Sequence, residues 1–547
     1  MIGRIIITST FLLTTSIGVF AQNPKKSEFM AMEQVKRYLG EENWQNAANA
    51  AERVLTGNPT HSSFNYYAGM GNLNARNYQL GFDQIMTAAA DQLEHFKDID
   101  FWKGRAYMGV QNPDSALFYL RKYVAAGGKN PMYTSGFTPE YYIAQMENAK
   151  KYIATPVNAT FHNMGEKIND EFDDVAPSLN TEGDLLVFTS RRNSNIGGQE
   201  DPNDGMPYQD VWISRLDTVT GKWGEAENLT KMNTAGHEAN MSISPDGNTI
   251  FIYKNVGDNT GSGDIWFSRT KGDASEWNKP REFEGAFNSS YFETSAYLAP
   301  GGKILYYVSE RPDGKSLGSG DIWMCERLNR KEWKKPINLG AVVNTKYDEI
   351  SVTVHPDGKT IFFSSNSDKS MGGYDIFKTE LINGQWTEPV NLGYPINSIG
   401  DEIHFTISAD GKKAFLAAVR PGGLGRYDIY EIDLQNYQLA DGQKGAVATG
   451  GGVLSVLKGK LINPVTGTTG SSESTYTIAV FDEAGAEVAK TDSDENGNYF
   501  LTLEGGKKYK ITVTGDGMKT INDEFFLGKR ASGQPFTLSK SYYLEKQ

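Results

Sequence analysis

One cysteine, six histidines and a shortage of basic side chains frame this chain by what they leave out. The single thiol, Cys325, has no partner for an intramolecular disulfide, so burial and hydrogen bonding must hold the fold without cross-links. His61, His95, His162, His237, His355 and His404 show no metal-ligand spacing, and there is no Gly-x-Ser-x-Gly elbow. The chain is therefore expected to be no enzyme, with no catalytic residue, cofactor or metal. Its 54 Lys and Arg against 67 Asp and Glu leave a formal charge of −13, which argues against a nucleic-acid binder, since that needs a basic face to displace phosphate counterions.

Long apolar runs are confined to the start. Arg4 precedes "IIITSTFLLTTSIGVF" (5–20), and Val19-Phe20-Ala21 before Gln22 fits a small-residue cleavage site, so residues 1–21 are expected to be a secretory signal peptide. No cysteine follows to take a lipid, and no transmembrane segment is expected in the mature chain. The product is expected to be exported to the periplasm.

What the chain has in plenty is repetition. Asn43-Trp44 precedes Ala47, Asn77-Tyr78 precedes Gly81 and Asn112-Pro113 precedes Ala116, a period of 34 and then 35 residues that marks tetratricopeptide-like helix pairs over 22–154. Ala47, Ala48 and Ala51 would let helices approach closely, and Thr138-Pro139 should open a last helix over 138–153.

A second repeat fills 155–437. Asp210-Val-Trp, Asp264-Ile-Trp, Asp321-Ile-Trp, Asp375-Ile-Phe and Asp428-Ile-Tyr stand 54, 57, 54 and 53 residues apart. Asp174, Glu238, Glu293, Glu349 and Glu402 each lie nine residues before a turn glycine (Gly183, Gly247, Gly302, Gly358, Gly411), and five residues before each acid is Asn169, Asn233, Asn288, Asn344 or Asn397. Stretches such as "SPDGNTIFIY" (244–253) read as strand, tight turn, strand, the second strand apolar on both faces. A unit of four short strands cannot bury both faces alone, and radial stacking of five copies predicts a five-bladed β-propeller. "TPVNATF" (155–161) is similar to "EPVNLGY" (388–394), so the N-terminal segment should complete the last blade beside 428–434.

The repeated aspartate is expected to be structural, accepting loop amides. The other acids could be spent in the same way. Alternatively Asp174, Glu238, Glu293, Glu349 and Glu402 ring one mouth and form a partner-binding face. Cys325 occupies the place of Ser214, Ser268 and Thr379 in the sister repeats and reads as a small buried side chain.

After a Gly-rich linker (438–452), residues 453–547 alternate apolar and polar residues between turn signals, as in a small Ig-like β-sandwich. "DSDENG" places Asp492, Asp494, Asn496 and Gly497 at the first positions of a calcium loop, but Leu503 stands where Glu is needed, so a hairpin turn is expected.

"HPDGKTIFFSSNSDKSMGGYDIF" (355–377) resembles the repeat of TolB-like propellers, and the last domain resembles carboxypeptidase regulatory-like domains. The whole multidomain α + β order resembles the PorE-like periplasmic components of type IX secretion, without their OmpA-like C-terminal domain. The resemblance implies an adaptor for protein partners, among them outer-membrane or secretion-system components. A periplasmic or surface receptor for a glycan or peptide is the alternative, and a propeller-based hydrolase or lyase a third reading.

Overall fold

The computed structural model describes residues 24–91, 96–202, 204–255, 263–270, 276–329, 332–437, 453–462, 476–494, 496–530 and 535–547. The expected signal peptide and the 438–452 linker lie outside these residues. The architecture is multidomain α + β, with a helical array followed by repeated antiparallel sheets. The chain divides into two compact units: one reaches Lys150 and includes Glu200–Met206, the other comprises Lys151–Gln199 and Pro207–Gln547.

The helical array contains α1 (Pro24–Gly40), α2 (Trp44–Leu55), α3 (Ser62–Asn74), α4 (Tyr78–Ala90), α5 (Ile99–Gly109), α6 (Pro113–Ala125) and α7 (Pro139–Ala154). Each repeat asparagine stands immediately before a helix. Asn43 and Asn112 accept from the backbone N–H three residues on, at 3.4 and 3.0 Å, which satisfies one of the orphan donors of a helix start. The residue ahead of each, Glu42, Arg76 or Gln111, takes a left-handed φ of 55°, 68° or 59°. That turn lets the asparagine N–H close the preceding helix by donating to Tyr38, Asn72 or Tyr107 O at 2.8–2.9 Å. Ala47, Ala48 and Ala51 are fully buried. A Cβ on Gly71 would come within 2.9 Å of Trp44 O, so the pattern of small residues is what permits this spacing of helices.

Five sheets follow. Their first three strands are Asp174–Leu179, Leu185–Ser190 and Asp210–Asp217; Glu238–Ile243, Thr249–Asn255 and Gly263–Arg269; Glu293–Leu298, Ile304–Ser309 and Asp321–Glu326; Glu349–Val354, Thr360–Ser365 and Asp375–Ile382; and Glu402–Ile407, Lys413–Ala418 and Asp428–Asp433. Gly183, Gly247, Gly302, Gly358 and Gly411 turn the first strand into the second at φ between 67° and 75°, a conformation that favours glycine. Each donates its N–H to the carbonyl three residues back. In the first four sheets short outer segments follow in sequence. In the fifth the outer strand is Thr160–Asn163, from the start of the repeat region, paired antiparallel with Tyr430–Asp433. The strand lies later than the expected 155–161.

The second strands bury both faces because each serves two cores. Ile361 and Phe363 pack toward the third sheet, while Phe362 packs toward the fifth. Analogous cores lie between the first and second sheets and between the second and third. A fifth joins Leu186 and Phe188 of the first sheet to Phe415 and Ile429 of the last. Each fully buried large apolar side chain contributes about 1.5–3 kcal/mol.

The C-terminal residues form two four-stranded sheets around one core containing Leu457, Leu461, Ile478, Val480, Leu501, Ile511 and Leu527. The turn after Asp492 does not make a hairpin: Glu487–Asp492 and Asn498–Glu504 belong to different sheets, so it carries the chain from one to the other. Asp494 spends its carboxylate inside that turn, accepting from Asn496 N, Asn498 N and Asn498 Nδ2 at 2.7–2.8 Å. These sheets touch the glycine-turn end of the five-sheet array. Lys458 and Thr537 both reach Glu182, at 2.7 and 2.8 Å, Thr491 donates to Gly301 O at 3.1 Å, and Thr502 donates to Pro356 O at 2.6 Å.

Candidate functional site

The repeated polar residues meet where one sheet passes to the next. Each repeat asparagine turns its carboxamide toward the residue after the aspartate of the preceding sheet. Asn344 accepts from Ile322 N at 2.8 Å and donates to Ile322 O at 3.0 Å. Asn233 does the same with Val211, Asn288 with Ile265 and Asn397 with Ile376. Asn169 completes the series against Ile429 of the last sheet, at 2.8 and 2.9 Å. A side-chain amide thus replaces a strand neighbour where the chain leaves the sheet.

The aspartates hold the loop ahead of them. Asp321 accepts from Leu317 N, Gly318 N and Asn338 Nδ2, and Asp428 from Leu424 N, Gly425 N and Asn163 Nδ2, at 2.6–3.1 Å. Asp210 and Asp375 make the same kind of contacts through one oxygen. The loop ahead of Asp264 lies outside the described residues.

The five acids of the expected partner-binding face are interior. Asp174, Glu238, Glu293, Glu349 and Glu402 are at most 1% exposed. Each accepts from the backbone N–H four residues earlier: Asp170, Thr234, Ser289, Thr345 or Ser398. In four of the five repeats a cation from the end of the second strand completes the bond set: Arg192 on Asp174, Lys254 on Glu238, Arg311 on Glu293 and Arg420 on Glu402. The three arginines also donate to carbonyls of the loop ahead of their acid, at Ile168, Phe287, and Pro395 with Ile396. Of the two readings of these acids, the bonds seen are those of the first: the carboxylates are engaged in building the junctions.

These cations were missed in the sequence, although Arg192, Arg311 and Arg420 all stand eighteen residues after their acids. The fourth repeat breaks the pattern. Ser367 occupies that position, and Glu349 is met by hydroxyls of Thr345 and Ser365. Burial pushes Glu349 up to about 7, and the negative charge of Asp321 adds to the rise. Burial also lifts Asp174 to about 7, against the opposing pull of Arg192. In Asp375 burial, reinforced by Glu402, raises the carboxyl well above its usual range.

Cys325 is fully buried, and burial raises its thiol to about 11. Its Sγ donates to Lys334 O at 2.8 Å, just as Ser214, Ser268 and Thr379 donate to Gly224, Asn278 and Thr387 O. The thiol, like its sister hydroxyls, ties the third strand to the outer segment that follows it in the same repeat. Among the described residues no cluster of three or more His, Cys, Asp or Glu could hold a metal, and no helix is long and apolar enough to cross a membrane.

What the loop end offers instead is an open recess of about 520 Å³ at the third sheet, lined by Glu310, Pro312, Gly314, Ser316, Gly318 and Ser319. Glu310 is exposed there, its carboxyl raised by partial burial and then by Asp348.

No family model and no curated protein matches the chain. Among solved structures it is similar to BT0996 in its RGII complex (12% identity, 53% of this chain and 94% of that one, TM-score 0.35). It is also similar to an α-L-arabinofuranosidase from Lactobacillus brevis (14%, 52% and 93%, 0.33) and to the Trypanosoma rangeli sialidase with the inhibitor DANA (10%, 64% and 74%, 0.29). TM-scores this low establish no shared activity.

Proposed function

We propose that the chain is an exported, periplasmic, non-enzymatic adaptor of the PorE-like kind. On this reading a tetratricopeptide-like array (22–154), a closed five-bladed β-propeller (155–437) and an Ig-like sandwich (453–547) gather protein partners at an outer-membrane assembly such as type IX secretion. One observation carries the reading. The asparagines that the repeat multiplies bond one sheet to the next, Asn169 makes that bond between the first and last repeats, and the five acids Asp174, Glu238, Glu293, Glu349 and Glu402 are spent on the loops at the same places. A frame built this way presents surfaces, and function then belongs to its loops. The C-terminal sheets engage the turn end, so the loop end is the face left for a partner.

Cross-linking capture from the envelope of the source bacterium tests this, with Glu310→Lys/Asp313→Lys as a control on exposed loop-end residues. Recovery of outer-membrane secretion components, lost in the variant at an unchanged melting temperature, is the expected result. Turnover of aryl glycosides or peptides by the intact chain would overturn the adaptor reading. The recess beside Glu310 favours a second reading, a glycan or peptide receptor, which binding of oligosaccharides to the native chain but not to the variant would select.

A further inference from the structure

Three of the five repeats carry an aspartate just ahead of the repeat acid: Asp173, Asp348 and Asp401. Asp173 is held by a guanidinium from the loop of the last sheet. Arg426 donates from Nε to its Oδ1 at 3.1 Å and from Nη2 to its Oδ2, a two-pronged bond. Asp401 is also taken, by Tyr374 N at 3.0 Å and the Tyr427 hydroxyl at 2.7 Å. Asp348 differs. Its N–H donates to Asn366 at 2.9 Å, but its half-buried carboxylate meets no donor among the described residues. The cause is one residue in the loop of the third sheet. In "LGSGD" (317–321) Leu317 and Gly318 donate to Asp321, as Leu424 and Gly425 of "LGRYD" (424–428) donate to Asp428. Gly318 and Gly425 press on equivalent carbonyls: a Cβ would lie 1.7 Å from Tyr347 O in one loop and 2.0 Å from Phe172 O in the other, each next to its aspartate. The residue that follows is Ser319 in the first loop and Arg426 in the second. In place of the arginine the third sheet has the open recess beside Glu310, walled in part by Gly318 and Ser319. With Ser367 also standing where sister repeats have arginine, Glu310, Asp348 and Glu349 form no ion pair among the described residues.

We propose that this recess takes an arginine side chain of the protein partner, its guanidinium bonded two-pronged by Asp348 as Asp173 bonds that of Arg426, with Glu310 adding negative charge at the rim. The molecule thus carries its own template: the same junction, built twice, is filled from within in one repeat and left open in another. A planar guanidinium matches the two oxygens of a carboxylate, whereas an ammonium meets them as a point charge, so arginine is the residue selected. The proposal rests on the loop-end adaptor reading and names the chemistry of the partner at that face.

The probe is the peptide acetyl-Gly-Gly-Arg-Gly-Gly-amide, titrated with the full chain at low salt and followed by the broadening of its NMR lines. Its citrulline counterpart, which keeps the shape and loses the charge, is the control. The arginine peptide is expected to bind about tenfold more tightly than the citrulline peptide, and Asp348→Asn to weaken it about tenfold at an unchanged melting temperature. Ser319→Arg, at an exposed residue, restores the sister repeat's arginine in cis and should block the peptide with Asp348 still in place. Equal binding of the two peptides, or undiminished binding by Ser319→Arg, would overturn the proposal. Should Asp348→Asn fail to fold, the Ser319→Arg result decides alone. Capture of the partner separates the site from the reading beneath it. If Glu310→Lys/Asp313→Lys abolishes capture while Asp348→Asn and Ser319→Arg both retain it, the arginine site falls and the adaptor stands.

Discussion

Glu349 shows what a single residue can do to a junction repeated five times. Its counterparts meet Arg or Lys, whereas its own charge meets only hydroxyls and an amide, with Asp321 nearby. Its folded pKa of about 7 lies above the ordinary glutamate value, so the folded state binds the extra proton between them. Stability from this group is therefore intact at acid pH, declines as pH rises from about 4.5 through about 7, and levels off above that. The full effect is of the order of 3 kcal/mol. Glu349→Gln should flatten the decline in melting temperature between pH 5 and 8, and Ser367→Arg, which restores the cation of the sister repeats, should reduce it. An unchanged pH profile in both variants would remove Glu349 as its source. Cys325 makes a complementary case at the same scale. Cys325→Ser keeps the bond to Lys334 O and should change stability by less than about 1 kcal/mol, while Cys325→Ala should lose about 1 kcal/mol in denaturant titration.

At the scale of elements, much of the architecture was legible. The five turn glycines, the asparagine series and the aspartates all lie at equivalent structural positions, because each is demanded by backbone geometry that recurs with the repeat. The cations escaped notice because one of the five is Lys at a different spacing and one is replaced by Ser367. The sequence left the acids with two readings, because spacing gives their position in the repeat but not that the loop four residues earlier folds back to donate to each carboxylate. The outer strand of the fifth sheet pairs beside 428–434 as expected, but on Thr160–Asn163. The likeness of "TPVNATF" to "EPVNLGY" puts Asn158 in the place of Asn391, whereas the structure selects Asn163, whose carboxamide bonds Asp428 at 2.7 Å and Asn169 at 3.0 Å as Asn391 bonds Asp375 and Asn397. Local identity was outweighed by a network that needs an amide six residues before Asn169. Asn163→Ala is thus expected to cost about 1–3 kcal/mol by leaving part of a buried carboxylate unsatisfied, and Asn158→Ala, at an exposed position, close to nothing. Paired urea titrations check the contrast; equal costs would mean the outer strand of the fifth sheet does not depend on this register.

On the scale of the whole molecule, the C-terminal sheets matter through the turns they touch. Glu182, beside the first turn glycine, accepts both Lys458 and Thr537, while the third and fourth turns receive Thr491 and Thr502 through backbone carbonyls. The Glu182 contact concentrates two donors on one half-buried carboxylate, the Thr491 and Thr502 contacts use backbone acceptors that no side-chain substitution removes, and the Lys303–Asp492 pair is longer, at 3.5 Å. Glu182→Ala is therefore the variant that tests the attachment most directly. A partly screened ion pair and one hydroxyl bond are together worth about 1–2 kcal/mol, too little to unfold either set of sheets but enough to shift a docking equilibrium severalfold. Hydrogen exchange should then quicken at the turns around Glu182, Gly301 and Pro356 together, with the strands between sheets unchanged. Lys458→Ala should give a smaller effect in the same place, and combining it with Glu182→Ala should add less than the sum of the two. Faster exchange at Glu182 alone would mean that the contacts form independently, and the C-terminal sheets would then be joined to the turn end by separate local bonds instead of one docked surface.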